Sequence, residues 1–276
     1  MADQSEQHSP LFWARIDDPE IEAAAQRARD TFRYFVREHS WERRRIVKGL
    51  DVAAVKIAFG EQANPEAPTI VEHMWIDDVD FDGITVRGRL LNEPHQLQSV
   101  RQGVGVQVPF AQVSDWLYAQ RGRAYGGFTV NALRTQMTDA DRANHDNAWG
   151  LEFGDPYDVA VVPDQTRVEK SGLFGRKKTV TVPADLAAEH PMALNAVASM
   201  TERLIKEPGL AHWRDERGWT HVHDLAMAGS AVCVRAFLDR GADPGARTTH
   251  GLTAAQLAGS VGWSDVVDLL RERGGV

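Results

Sequence analysis

Gly218-Trp219-Thr220 recurs as Gly251-Leu252-Thr253, 33 residues further on. The register holds between Ala226 and Gly259, Gly229 and Gly262, Val234 and Val267, Phe237 and Leu270, and Gly241 and Gly274. A fixed period of this length is a severe constraint, because one such unit cannot bury its apolar face alone and must stack on a copy of itself. Apolar positions at helical spacing, broken by glycine, predict a helix–turn–helix in each unit. One period earlier, Leu204 falls under Phe237 and Pro208 under Gly241, so residues 192–210 read as a degenerate first unit that caps the array. Cys233 aligns with Val266 and is expected to be a small core residue.

Upstream the period drops to two. Between residues 72 and 130, apolar and polar residues alternate, punctuated by Gly, Asp and Asn92-Glu93-Pro94, the pattern of short antiparallel strands and tight turns. Ile84, Val86, Gly88 and Leu90 share one strand face, and Thr85, Arg87 and Arg89 the other. Asp82-Gly83 supplies the turn before them, and Val104, Val106 and Val108 repeat the alternation up to Pro109. Residues 52–59 read as a further strand and 159–162 as a last short one. Asp18-Pro19-Glu20 marks a helix start, and Ile21, Ala25, Ala28, Phe32 and Phe35 give that helix an apolar face, to about His39, for packing on the sheet. Leu11-Phe12-Trp13 are candidates for docking on the same domain. The expected fold class is therefore α+β, a small curved antiparallel β-sheet or barrel with an N-terminal helix, over 1–163. A linker or hairpin follows over 164–184, then an all-α repeat array over 185–276.

With 31 basic against 39 acidic residues, the net charge of −8 argues against non-specific binding to nucleic acid or an anionic membrane. The polar start MADQSEQHSP has no signal-peptide core, no run reaches the length of a membrane span, and the single cysteine has no disulfide partner. A cytoplasmic protein is expected.

Two resemblances add to this reading. GWTHVHDLA resembles the ankyrin G-x-T-P-L-H-x-A-A box and FLDRGADPGA its L-L-x-x-G-A-D-x-N-A ending, so 185–276 is expected to be an ankyrin repeat domain. His221 and Ala254 stand in place of the proline and Gln256 in place of the second histidine, which implies a weaker Thr–His bond in the last repeat. In the first domain, Glu72-His73-Met74-Trp75, Asn92-Glu93-Pro94, Ser114-Asp115-Trp116-Leu117-Tyr118 and Gly126-Gly127-Phe128-Thr129 stand in the order seen in the YegJ/DUF2314 family. Ala28-Arg29-Asp30-Thr31-Phe32 and Val55-Lys56-Ile57-Ala58-Phe59 match its opening. That likeness spans about 17–133 and brings a domain without an activity.

Motif chemistry is sparse. There is no P-loop, dinucleotide fingerprint, nucleophile elbow or metal-ligand spacing, so no catalytic residue, metal or cofactor is expected. Glu72 and His73 adjoin and face opposite ways on a strand, which prevents direct cooperation. Asp115 reads as a turn cap, with Trp116 packed inward. The competing reading is a ligand pocket built from His73, Trp75, Asn92, Asp115, Trp116 and Tyr118. The acids Asp77, Asp78, Asp80 and Asp82 form either a solvated turn or a lobe that steers a basic partner.

The leading expectation is a non-enzymatic protein-binding protein, by fold-level analogy an immunity or antitoxin-like factor whose partner is a toxin. The alternative is an enzyme or small-ligand binder using the first domain. The resemblance to ankyrin arrays places the partner surface on the finger loops, at Arg214, Asp215, Glu216 and Trp219 in one and Arg247, Thr248 and His250 in the next. Trp219 and Arg247 are the expected hot spots. The competing reading packs Trp219 between the repeats and leaves Arg247 solvated.

Overall fold

The computed structural model describes residues 18–170 and 177–275. The chain divides into two compact units, one formed by Met1–Phe32 and Val47–Val159, the other by Arg33–Ile46 and Ala160–Val276. The tail residues Leu11-Phe12-Trp13 and the turn signal Ser171-Gly172 lie outside the described residues.

The first unit opens with the N-terminal part of helix α1 (Pro19–Glu42), where the Asp18 carboxylate accepts the Glu20 N–H at 2.9 Å and caps the first turn. Then come strands β1 (Val52–Glu61), β2 (Ile70–Phe81), β3 (Thr85–Leu90), β4 (Gly105–Pro109), β5 (Val113–Gln120) and β6 (Arg123–Gly126). They pair antiparallel in the order β4-β3-β2-β1-β5-β6, an open sheet rather than a barrel. Alternation dictates two faces. Val55, Ile57, Met74, Ile76 and Trp116 are buried on one, where the Trp116 indole N–H donates to Ala28 O of α1 at 2.8 Å and Phe32 packs edge-on against Phe81. The other face receives α2 (Phe128–Thr135) and α3 (Asp139–Trp149). Leu117, Ala124, Val130 and Phe153 close a core there.

Two expectations change. Residues 128–130 are helical, not strand, because a carboxylate from β5 accepts the first N–H groups of the helix. Residues 159–162 form no strand; next to the edge strand β6, only a single bridge from Glu152 to Arg123 extends the ladder. Ile84 is exposed because it lies in the turn before β3 begins.

The second unit holds the rest of α1, a hairpin of β7 (Gln165–Lys170) and β8 (Lys177–Val182), and helices α4 (Pro191–Lys206), α5 (His221–Met227), α6 (Ala231–Leu238), α7 (Ala254–Val261) and α8 (Ser264–Glu272). Helices α5/α6 and α7/α8 are the two periodic units, and α4 stacks on α6 as the cap. The aligned positions Cys233, Val234, Phe237, Val266, Val267 and Leu270 are all buried, with Leu204 on α4. Thr220 and His223 close a capping box, and His223 Nε2 donates on to Ala246 O at 3.0 Å, at the end of the same unit. The box survives in the last unit, contrary to the weakening expected: Thr253 N–H donates to Gln256 Oε1 at 2.9 Å. Glutamine reproduces the acceptor and gives up only the onward bond.

The second half of α1 belongs to this unit. Tyr34 packs edge-on to Trp263 at 5.9 Å, Trp41 stacks on His190 at 5.6 Å, and Glu38 holds His190 at 3.0 Å. Phe237→Ala in the full chain is expected to cost about 3–5 kcal/mol. Calorimetric melts of the second unit check this, and an unchanged melting temperature would deny Phe237 its core role. Among the described residues no helix is long and apolar enough to cross a membrane.

Candidate functional site

Across three strands of the first unit, pairing sets Trp75 of β2, Lys56 of β1 and Asp115 of β5 in one row on one face. Asp115 is fully buried, and its oxygens are all engaged. Oδ1 accepts the N–H groups of Trp116 at 2.8 Å and Phe128 at 2.9 Å, while Oδ2 accepts Thr129 N–H at 2.8 Å and Thr129 Oγ1–H at 2.6 Å. The carboxylate thus caps α2 from a strand 13 residues away, which is why 128–130 turn helical. Gly126 permits the approach, since a Cβ there would meet Trp116 O at 2.4 Å. Burial raises the Asp115 pKa, against the pull of Lys56 and of the Thr129 bonds.

Beside this row lies a groove of about 1280 Å³, lined among others by Arg29, Lys56, His73, Trp75, Asn92 and Trp149. Lys56 is half-buried; its ammonium lies 5.6 Å from the Trp75 ring centroid and donates to Thr129 Oγ1 at 3.3 Å. Burial lowers its pKa and the Asp115 charge opposes that. Ser114 Oγ–H donates to Lys56 O at 3.2 Å, so its lone pair faces His73 Nδ1 at 2.9 Å. The neutral ring therefore carries its proton on Nδ1 and keeps Nε2 as an acceptor.

Desolvation, then the Lys56 charge, bring His73 down to about 4. The ring keeps an exposed edge, so titration should read a smaller shift than full burial would give. Because the folded pKa lies below the unfolded one, the unfolded chain takes the proton first. Stability is then lost as pH falls from about 6.5 towards 4. Lys56→Met is expected to raise the His73 pKa, read from imidazole NMR shifts. An unmoved titration would remove Lys56 as a cause.

Asn92 Oδ1 accepts Trp75 N–H at 2.8 Å and extends the sheet edge. Glu72 is buried, and its carboxylate accepts the N–H groups of His95, Gln96 and Leu97 at 2.9–3.2 Å, fixing the loop beyond Pro94. Of the residues considered for a pocket, His73, Trp75 and Asn92 line the groove, and Asp115 lies buried beside it. Trp116 and Tyr118 are fully buried on the opposite face and are not among its lining. The acidic turn is largely neutralised from within, because Asp77 takes a two-pronged bond from Arg89 at 2.7 and 3.0 Å and Asp82 binds Arg87 at 3.1 Å. Among the described residues, no group of three or more His, Cys, Asp or Glu is placed to hold a metal ion.

In the second unit the finger loops are stiffened by their own side chains. Asp215 Oδ1 accepts the N–H groups of Arg217 at 2.9 Å and Trp219 at 2.8 Å, and Thr248 Oγ1 accepts Leu252 N–H at 3.2 Å. Trp219 is only 4% exposed, tilted against His223 and under the Arg217 guanidinium, and Thr248 is buried too. Arg214, Glu216, Arg247 and His250 are exposed, with Arg247 anchored to Gly251 O at 2.7 Å.

Lys56 and Trp149 were not among the residues expected to form a pocket. Lys56 had a signal: one cation inside the apolar strand Val52–Glu61 has to serve something.

A family model described as "Uncharacterized protein conserved in bacteria (DUF2314)" matches residues 18–153. The chain is 41% identical over 265 residues to a Neisseria meningitidis serogroup B protein named as an ankyrin repeat protein, covering 96% of this chain and 98% of that one. It is 28% identical over 86 residues to YegJ of Escherichia coli K12, covering 31% of this chain and 52% of YegJ. It is also 30% identical over 111 residues to protein phosphatase 1 regulatory subunit 27 of Mus musculus, covering 39% of this chain and 71% of that one. A helix and six-stranded sheet fill the matched stretch and paired helices follow it, so the chain belongs to the DUF2314 family and carries an ankyrin-like region after the family domain.

Proposed function

We propose that this protein works by binding another protein through its finger loops, and that it is an immunity factor neutralising a partner toxin in the cytoplasm. The observation that carries the reading is the pair of stiffened loops, which present Arg214, Glu216, Arg247 and His250 to solvent on a rigid stack. A preordered backbone lowers the entropy cost of an interface, and arginine is a residue type enriched among hot spots. Two relatives support protein binding by their names, one as an ankyrin repeat protein and one as a regulatory subunit of a phosphatase. Trp219 acts here as the loop's internal support, and the contact surface is Arg214, Glu216, Arg247 and His250.

Co-expression with the product of the neighbouring reading frame tests the toxin reading. The expected result is relief of that product's toxicity together with a stoichiometric complex. Toxicity that persists beside well-folded protein would overturn it.

A further inference from the structure

We propose that the groove of the first unit is a receptor for a carboxylate carried on a flat apolar group, with Lys56 as its charge partner. The inference is independent of the finger loops. An ammonium on an apolar strand is costly to desolvate, and an apolar residue of the same length would stabilise the sheet better. Asp115 offsets part of that cost through its charge but gives Lys56 no hydrogen bond, because its oxygens are taken by Trp116, Phe128 and Thr129. Among the described residues, Lys56 has one hydrogen-bond acceptor, Thr129 Oγ1, at 3.3 Å. An ammonium carries three donors, so two are left for the groove.

The rest of the lining selects the ligand. Trp75 and Trp149 meet edge to face at 6.1 Å, and Trp149 is 41% exposed, which leaves an aromatic surface open to a planar group. Arg29, the other cation, is engaged with Val113 O, Gln26 and Glu22. Glu22, Glu72 and Glu93 line the groove as acids, and their charge disfavours a dianion such as phosphate more than a single carboxylate. One lysine with two spare donors matches one carboxylate. His73 Nε2 adds an acceptor for an N–H on the ligand body.

The test uses the full chain and calorimetry with N-acetyl-phenylalanine, its uncharged amide, and a short peptide ending in phenylalanine with a free or amidated terminus. The acids are expected to bind at least about ten-fold more tightly than the matching amides. Lys56→Met should bring the acids down to the amides' level, and Trp149→Ala, at an exposed position, should weaken both forms. Tighter binding of the free amino-acid derivative assigns the site to small carboxylates, and tighter binding of the peptide assigns it to chain termini. Equal binding of acid and amide, undiminished acid binding by Lys56→Met, or no binding by any of the four compounds would each overturn the proposal.

Discussion

Asp115→Ala is expected to lower the stability of the first unit by about 3–5 kcal/mol, the range for removing one member of a buried, hydrogen-bonded charge set. The loss has two sources. Phe128 and Thr129 lose the acceptor that starts α2, and Lys56 is left as a half-buried cation without its nearby anion. Asp115→Asn keeps the shape and one acceptor oxygen, so it should cost less. Denaturant midpoints of the two variants decide the matter. A loss below about 1 kcal/mol for alanine would mean that α2 is held by packing alone.

In the second unit, two glycines with the same backbone hand are expected to respond very differently to alanine. Gly229 and Gly251 have φ of +67° and +76°, so each alanine costs about 1–2 kcal/mol for the left-handed conformation. At Gly251 nothing stands within 4 Å of the added carbon, whereas at Gly229 it would lie 2.4–2.8 Å from the Trp263 ring. Trp263 is 7% exposed and donates its indole N–H to Met227 O at 3.1 Å, so it must leave its seat. Gly229→Ala should therefore cost at least about 3 kcal/mol, towards the range for losing a buried aromatic side chain. Equal melting temperatures for the two variants would show that Trp263 moves freely.

The repeat array was legible because its constraint is periodic: glycines and apolar residues recur at 33, and the aligned apolar positions of the helices are buried. The strands were legible from alternation, but closure was not, since alternation is the same in a barrel and an open sheet. The helical start at Phe128 was hidden for a different reason. Phe-Thr-Val favours a strand locally, and only a carboxylate supplied by β5 makes it a helix. Trp219 shows the limit of reading residue type as role. An arginine–tryptophan pair in a loop looks like a hot spot, yet Asp215 holds the Trp219 backbone N–H and the indole lies buried against His223. Lys56 was the opposite case, a charge visible in an apolar strand whose meaning needed its two neighbouring strands.

Binding of a protein partner by the finger loops is open to test with the double variant Arg214→Ala/Arg247→Ala. Both side chains are exposed, so the melt should stay within about 0.5 kcal/mol of wild type. With the full chain as bait in extract of its source cells, wild type should retain one protein in about equimolar amount. The double variant should bind that protein at least about 30-fold more weakly, or about 2 kcal/mol. A folded double variant that retains the same protein with wild-type affinity would show that the finger loops are not the binding surface.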